Sequence, residues 1–327
     1  MRRTVFLAVV VAVLGSLAMA AAGCSAAGGG FPNKSIEFVV QAAPGGGSDI
    51  NARGVADILA KEKIVNQSIA VVNKAEGGGT EAYIYLGNKK GDAHTIATAT
   101  VTYITNPLQG QAPYSYKDFT NLVNLCADPF VVLVNSNSKI GSFKDLIDTA
   151  KKAPKSVSVG GSRVGADDHI LSFLIARETG VEFNFIAYKS GGEVMTALLG
   201  NQIDMASANP GEAVAQVEGK KARALATSAP QRLPSLPDVP TLKELGLKIE
   251  WMQFRGWAAP PGIPQEQRTF WENAFEKMVA TDSWKAFLKQ NEQVPDFRKG
   301  ADFEKYLADL NAKYDDALSS LGLIKKK

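Results

Sequence analysis

The run of small residues at positions 43–49 has the composition of an anion-binding turn. It consists of Ala43, Pro44, Gly45, Gly46, Gly47, Ser48 and Asp49. Apolar residues alternate before the run and recur at helical spacing after it, so the glycines are predicted to lie where a strand becomes a helix. The first turn of a helix carries unpaired N–H groups and the positive end of the peptide dipole, and glycine lets a ligand approach closely. Because such turns also serve only for packing, this motif alone leaves both interpretations open.

Three more runs that follow predicted strands carry candidate ligand-binding residues. These are Thr100 and Thr102 in one run, Gly165, Ala166 and His169 in the next, and Gly191 and Gly192 in the last. Doubly wound α/β sheets bind ligands beyond the carboxyl ends of their strands. The runs near positions 43 and 100 would lie on one lobe and the other two on a second lobe. A ligand with carboxylates at both ends could then bridge the lobes and favour closure.

Alternating strands and helices are predicted to position these turns. Strand-like runs occur at residues 69–73, 94–98, 130–135, 157–159, 183–187, 203–207 and 224–227, and helical patterns at 143–152, 169–178 and 193–199. The alternation predicts an α/β fold in which each lobe is a doubly wound sheet. Two chain crossings, near residues 129–134 and 251–257, would divide the chain into one lobe of residues 31–130 and 255–327 and another of residues 131–254. The residues after Pro264 are predicted to be helical and to pack back on the first lobe.

The N-terminus has the layout of a secretory signal. Arg2 and Arg3 precede an apolar run at residues 5–14, and small residues lead from there to Cys24. Small residues before a cysteine are similar to a lipobox, so we expect residues 1–23 to be removed and Cys24 to be lipidated. Residues 24–30 would then form a flexible tether. Because Ala21 stands where lipoboxes usually carry leucine, ordinary signal cleavage remains an alternative.

Net charge and cysteine content limit the kinds of molecule that the chain is expected to bind. The 327-residue chain has a formal net charge of +3, and removal of the signal, which carries two arginines and no acidic residue, leaves +1. That balance gives no reason to expect nucleic-acid binding. Cys126 lies in an apolar segment and is predicted to be a buried small side chain rather than a nucleophile. We expect a monomer with no cofactor and no metal.

Short motifs occur in a fixed order along the whole mature chain. They are Phe31-Pro32-Asn33-Lys34-Ser35-Ile36, the run at 43–49, Asn73 with Gly77-Gly78-Gly79, Asn106-Pro107, Gly165 with His169, Tyr188-Lys189-Ser190-Gly191-Gly192, Gly200-Asn201-Gln202-Ile203-Asp204, Leu236-Pro237-Asp238-Val239-Pro240-Thr241 and Ala259-Pro260-Pro261-Gly262-Ile263-Pro264. In this order they resemble the extracytoplasmic solute-binding proteins of the tripartite tricarboxylate transporter family.

The resemblance implies a two-lobed periplasmic-binding-protein fold, also called a Venus flytrap, with its lobes joined by two crossing strands. The ligand it implies is a small mono-, di- or tricarboxylate. The partners it implies are the large and small membrane subunits of a tripartite transporter. It also adds Tyr188 and Asp204 to the expected ligand-binding residues, with Asp204 acting through water or by orienting a loop.

The second lobe departs from the family pattern at one turn. Ala166 stands where many members have a serine, so a hydroxyl donor is lost. Asp167 and Asp168 are interpreted as capping the helix N-terminus. Alternatively, they repel a second carboxylate and shift the preferred ligand toward a monocarboxylate or a polar neutral molecule.

The cations nearest to these turns are Arg53, Arg163 and Lys189. Each is expected to be a solvated surface charge. Of the three, Arg163 is the one least expected to contact the ligand.

These residues give little support to an enzymatic function. A serine hydrolase would need Ser48 or Ser162 beside a histidine and an acid, yet neither serine lies in a nucleophile-elbow pattern. His94 and His169 lack the spacing of a zinc site, and the spaced three-glycine nucleotide fingerprint is missing. Two alternatives to a transport receptor remain: a ligand-sensing lipoprotein that feeds a regulatory partner, and an exported α/β enzyme.

Overall fold

A computed structural model describes residues 30–324. The predicted signal peptide and Cys24 lie outside the described residues. Within residues 30–324, no helix is long and apolar enough to cross a membrane. The same residues contain no group of three or more His, Cys, Asp or Glu side chains placed to hold a metal ion.

Eleven strands of the described chain form two sheets. They are β1 (Ile36–Val40), β2 (Ile69–Asn73), β3 (Thr95–Ala99), β4 (Thr120–Pro129), β5 (Val131–Asn135), β6 (Ser158–Gly161), β7 (Asn184–Ala187), β8 (Met205–Ala208), β9 (Ala222–Thr227), β10 (Met252–Ala259) and β11 (Val294–Lys299). The first sheet has the order β11-β4-β10-β3-β1-β2 and the second β7-β6-β8-β5-β9. Both are mixed, because β10 runs antiparallel to its neighbours in the first and β5 does so in the second. We call the half of the described chain built around the first sheet lobe 1 and the half built around the second sheet lobe 2.

Ten α-helices of residues 30–324 cover these sheets. They are α1 (Gly47–Lys61), α2 (Thr80–Gly87), α3 (Val101–Leu108), α4 (Phe143–Lys152), α5 (Asp167–Thr179), α6 (Gly191–Leu199), α7 (Pro210–Glu218), α8 (Gln265–Val279), α9 (Asp282–Gln290) and α10 (Gly300–Ser320). Helix α4 illustrates how the local sequence specifies a helix. The Ser142 side chain caps its N-terminus by accepting the Asp145 N–H. Its buried residues Phe143, Leu146 and Ile147 recur at helical spacing and face the core.

Aromatic packing holds lobe 1 together. Phe38 of β1 lies with its ring centroid 4.5 Å from that of Trp257 on β10 and 6.0 Å from that of Trp271 on α8. All three side chains are fully buried, and the Trp271 indole N–H donates to the Ala93 carbonyl at 2.8 Å. The C-terminal helices therefore pack back on lobe 1, as predicted.

The chain passes between the sheets twice, and the two passages are bonded to each other. The first is at Phe130, between β4 and β5, and the second lies between β9 and β10. The Ser228 hydroxyl accepts the Phe130 N–H at 2.8 Å and donates to the Trp251 carbonyl at 2.5 Å. Ser228 is fully buried, so this pair of bonds holds the two crossings at a fixed spacing.

Most predicted elements are confirmed, and five were not predicted. The predicted helix at residues 143–152 matches α4, and the predicted strand at residues 69–73 matches β2. The prediction that residues after Pro264 are all helical is wrong, because β11 lies there and pairs with β4. Strand β4 and the helices α2, α3 and α7 were also not predicted. Cys126 is buried on β4, as predicted, and burial raises the pKa of its thiol.

Candidate functional site

A cavity of about 520 Å³ lies between residues of lobe 1 and lobe 2. Five helices have their N-termini at its wall. The lining residues at these N-termini are Gly47 of α1, Val101 of α3, Asp167 of α5, Gly191 of α6 and Asn209, the cap of α7. Each helix N-terminus contributes partial positive charge and N–H donors without intrahelical partners. The cavity is of the size that holds a small molecule, and its helix ends favour an anion.

Asp49 fixes the shape of the glycine turn. Its carboxylate accepts the Gly45 N–H at 2.9 Å, the Asn73 amide at 2.9 Å and the Arg53 guanidinium at 3.0 Å. Burial acts to raise the pKa of Asp49, but these hydrogen bonds outweigh it and hold the pKa below its usual range. Gly45 has φ +81°, a conformation that a side chain rarely adopts. Asp49 and Arg53 therefore support the turn from behind and do not line the cavity.

Gln41 aligns the polar groups on the lobe 1 wall. Its side-chain amide N–H₂ donates to the Ser48 hydroxyl at 3.0 Å and to the Thr100 hydroxyl at 2.6 Å. Its carbonyl oxygen accepts from the Thr98 hydroxyl, so the orientation of the amide is set. Sequence reasoning missed Gln41, although it directly follows the strand that leads into the glycine turn.

Arg255 of β10 is a buried cation beside the same wall and was also missed. It is 2% exposed and pairs with the Asp128 carboxylate. Its guanidinium also donates to the Ser48 hydroxyl at 2.8 Å and to the Asn209 side-chain oxygen at 3.2 Å. The Ser48 oxygen thus accepts two hydrogen bonds, which leaves its own proton to be donated to an acceptor.

Arg163 corrects a prediction, because it lines the cavity instead of being a solvated surface charge. From lobe 2 its guanidinium donates to lobe 1, to the Gly78 carbonyl at 2.6 Å, the Asn106 side-chain oxygen at 2.5 Å and the Thr105 hydroxyl at 3.2 Å. Burial lowers its pKa. Its Nε–H is buried and has no partner among the described residues. Arg163 therefore ties the lobes together and retains one donor.

Asp167 and Asp168 do not act as simple helix caps, since the N-cap of α5 is Ala166. Asp167 Oδ1 accepts from the Trp251 indole at 2.9 Å and from the Tyr314 hydroxyl at 2.8 Å. Its Oδ2 is buried without a partner in the described chain. Burial raises the pKa of Asp167 to about 7. Asp168 instead accepts the N–H groups of Ser162 and His169, and burial also raises its pKa.

Glu212 of α7 is a further cavity residue that the sequence did not reveal. The Gly47 N–H, from the facing lobe, acts to lower the pKa of its carboxyl. Glu212 also lies against Gly191, where an added Cβ would come 2.6 Å from Oε2. Burial raises the pKa of Glu212 to about 7, although Arg255 acts in the opposite direction. A protein carboxylate thus reaches one of the helix N-termini.

His169 lies beside the cavity rather than on its wall. Its ring stacks on Phe185 with centroids 3.9 Å apart, and Nδ1 accepts the Gly165 N–H at 3.0 Å. Burial lowers the pKa of His169 to about 4, so the ring is neutral at physiological pH. The geometry assigns it to holding the loop at Gly165.

Asp204 lies at the other end of the sheet from the cavity. It directly precedes β8, and its carboxylate accepts from the Ser158 N–H at 2.8 Å and the Ser158 hydroxyl at 2.6 Å. Ser207 and Ala208, at the carboxyl end of β8, line the cavity instead. Asp204 therefore lies off the cavity wall, and its carboxylate orients the start of β6 through Ser158.

The structure brings nine of the sixteen predicted ligand-binding residues to the cavity wall. These are Ala43, Gly46, Gly47, Ser48, Thr100, Thr102, Ala166, Tyr188 and Gly191. The other seven lie off the wall: Pro44, Gly45, Asp49, Gly165, His169, Gly192 and Asp204. Pro44 and Gly45 are exposed at the tip of the turn.

Solved structures of similar shape define the class of protein. A periplasmic transporter, 26% identical, aligns with a TM-score of 0.84 over 90% of this chain and 99% of its own. Rpa4515 of R. palustris, solved with adipate, is 24% identical with a TM-score of 0.84 over 90% and 99% of the two chains. MatC of Rhodopseudomonas palustris, solved with malate, is 22% identical with a TM-score of 0.80 over 88% and 100%. The fold is that of a two-lobed periplasmic binding protein.

Sequence relatives identify the family. The profile described as tripartite tricarboxylate transporter family receptor, TctC, matches residues 51–323. A UPF0065 protein from the gbd 5′ region of Cupriavidus necator is 28% identical over 317 residues, 97% of this chain and 96% of that protein. Protein BugT of Bordetella pertussis is 28% identical over 220 residues, 66% of this chain and 67% of its own. The chain belongs to the tripartite tricarboxylate transporter receptor family, which consists of binding proteins and not enzymes.

Proposed function

We propose that this receptor captures a small organic carboxylate in the cavity between its lobes and delivers it to the large and small membrane subunits of a tripartite transporter. The observation that carries the proposal is the convergence of five helix N-termini on one cavity. Relatives of the same fold have been solved with adipate and with malate. Both of those ligands are carboxylates.

Both lobes supply donors that a carboxylate needs. The Ser48 hydroxyl has its proton left to donate, because its oxygen already accepts from Gln41 and Arg255. The Nε–H of Arg163 and the hydroxyl of Ser207 are buried without partners in the described chain, and both residues line the cavity. A carboxylate oxygen accepts only, so it matches these groups. Charge-assisted bonds of this kind contribute about 1.5–3 kcal/mol each.

A thermal-shift screen of the mature protein tests the ligand class. Small carboxylates are compared with the primary amides of the same acids, which have the same shape and no charge. A bound acid at one hundred times its dissociation constant stabilises the protein by about 2.7 kcal/mol, and its amide does not. Small-angle scattering then gives a smaller radius of gyration with the acid, and the acid is recovered chemically unchanged. Equal shifts for acids and amides, or turnover of the acid, would contradict the proposal.

We further propose that Cys24 carries a lipid that holds the monomeric receptor at the membrane. The support is the sequence before it, where small residues precede the cysteine. Cys24→Ala releases the protein from the membrane fraction or leaves it unprocessed. Equal retention and equal electrophoretic mobility of the two forms would reject lipidation.

A further inference from the structure

The three-glycine motif that begins at Gly77 and the Asn106-Pro107 motif form one acceptor surface on lobe 1. Gly77 and Gly78 have φ +58° and +64°, left-handed conformations that glycine adopts readily. The Asn106 side-chain amide donates to the Gly78 carbonyl at 3.2 Å and to the Thr80 hydroxyl at 2.8 Å. Because these bonds fix its N–H₂ group, the side-chain oxygen of Asn106 is left to accept from another group.

Arg163 of lobe 2 donates to this surface. Its guanidinium bonds to the Gly78 carbonyl, the Asn106 side-chain oxygen and the Thr105 hydroxyl. We call these three acceptors the seat. A Cβ added at Gly78 would lie 2.9 Å from both Cδ and Nη1 of Arg163, so the guanidinium fits the seat because residue 78 is glycine.

The contact between Arg163 and its seat closes one side of the cavity. Both Arg163 and Gly78 line the cavity wall. Beside them, Gly165 of lobe 2 packs on Gln109, the C-cap of α3, where an added Cβ would lie 2.7 Å from Nε2. None of these residues belongs to either chain crossing. The lobes therefore touch here independently of the segments that connect them, and separating the lobes breaks the contact.

The acceptors of the seat are neutral. Among residues 30–324, Arg163 forms no ion pair, and Asp168, which attracts it, accepts the N–H groups of Ser162 and His169 instead. Gly78 is exposed and Arg163 is half-buried, so water reaches this side of the cleft. When the lobes separate, the guanidinium and its acceptors exchange their mutual bonds for bonds to water. Such a contact holds the lobes together and opens without leaving a buried charge behind.

We propose that Arg163 and its seat form a latch that holds the cleft closed and limits the rates at which a carboxylate enters and leaves the cavity. The inference rests on the proposed function for the identity of the ligand, whereas the latch itself consists of protein groups. A closed cleft does not admit a ligand, so the closed fraction of the receptor slows association. A bound acid leaves when the latch opens, so the latch also slows dissociation.

Two variants break the latch from opposite lobes. Arg163→Gln removes the guanidinium, and Gly78→Ala keeps it but pushes its flexible end out of the seat. The control for charge is Arg177→Gln, an exposed arginine on α5. The control for backbone strain is Gly77→Ala, which has the same left-handed conformation and whose Cβ would meet only Thr80 Cβ, at 3.5 Å.

Stopped-flow binding of adipate and of malate, the acids found in two relatives, measures both rate constants. For the acid that binds more tightly, each latch variant raises the dissociation rate constant about tenfold or more and the association rate constant about threefold or more. Both controls stay within about twofold of the wild type. Small-angle scattering without added acid gives a larger radius of gyration for the latch variants than for the wild type and the controls.

The outcomes separate the latch from the function that it serves. Faster dissociation with unchanged association would make Arg163 a ligand contact and overturn the latch. Equal effects of Gly78→Ala and Gly77→Ala, or an unchanged radius of gyration in both latch variants, would also overturn it. If Gly78→Ala fails to fold, Arg163→Gln against Arg177→Gln decides. If no acid of the screen binds, the proposed function is contradicted, and the scattering comparison alone decides the latch.

Discussion

The Tyr314 hydroxyl donates to Asp167 Oδ1 at 2.8 Å, which joins the C-terminal helix to the first turn of α5 in lobe 2. Trp251, on the second crossing, donates to the same oxygen. Asp167 is therefore held by groups from the crossing and from α10 while its other oxygen remains without a partner in the described chain. This arrangement makes the stability of the ligand-free receptor depend on pH.

Asp167→Asn should gain stability relative to the wild type as pH rises. Burial raises the pKa of Asp167 in the folded protein to about 7 from an ordinary 3.8. The folded state holds the proton more tightly, so stability is greatest below pH 4 and is lost as pH rises through about 7. The difference between the two proteins should change by a few kcal/mol, as an order of magnitude, between about pH 4 and pH 8.

Urea unfolding at several pH values measures this difference in stability between Asp167→Asn and the wild type. Asp282→Asn, a change at a fully exposed carboxyl, is the control and should track the wild type. A stability difference between Asp167→Asn and the wild type that stays constant over the range would show that Asp167 is ionised throughout.

Gly54→Ala should destabilise lobe 1. A Cβ at Gly54 of α1 would lie 2.2 Å from the Phe287 ring of α9, and that ring is stacked on Trp284 with centroids 5.5 Å apart. Overpacking of this kind costs about 1–3 kcal/mol, which exceeds the gain of about 1 kcal/mol from helix propensity. Thermal unfolding measures the change. Combining it with Phe287→Ala should remove most of the added cost, and fully additive effects would refute the contact.

Ser228→Ala should loosen the two crossings. The change leaves the buried Phe130 N–H without its acceptor and removes the donor to the Trp251 carbonyl. We expect a loss of about 1–3 kcal/mol in unfolding free energy. Amide hydrogen exchange at Phe130 should rise more than exchange in β1. Ser156→Ala, at an exposed serine, is the control, and equal effects of both changes would remove the proposed role of Ser228.

The sequence predicted the parts of the fold that repeat locally. Helix α4 was predicted because its cap and apolar spacing lie within ten residues. Strand β11 was missed because its pairing with β4 joins residues about 170 positions apart, and its own sequence, with Pro295 and Arg298, has little strand character.

The residues of the candidate site likewise include some that a local motif predicted and others that only the folded chain brings together. The glycine turn was visible because glycine and small residues mark a strand-to-helix junction. Arg255 and Glu212 were not, since each becomes a cavity residue only when distant segments fold together: Arg255 reaches Ser48 from 207 positions away. The position of Asp204 was not predicted, because a motif gives the order of residues but not the end of the strand at which they lie.

The most direct test of the account is calorimetric titration of the best acid from the screen into wild type, Gly46→Ala and Gly46→Val. Gly46 lines the cavity with φ −82° and ψ 166°, a conformation open to any residue, and an added Cβ would meet only the Ala43 carbonyl, at 3.6 Å. The fold should therefore survive while the added side chain occupies the place of the ligand's carboxylate. We predict that Gly46→Ala weakens binding, that Gly46→Val abolishes it, and that Gly87→Ala, on α2, leaves it unchanged. Affinity of folded Gly46→Val within twofold of wild type would contradict carboxylate binding at the helix N-termini of this cavity.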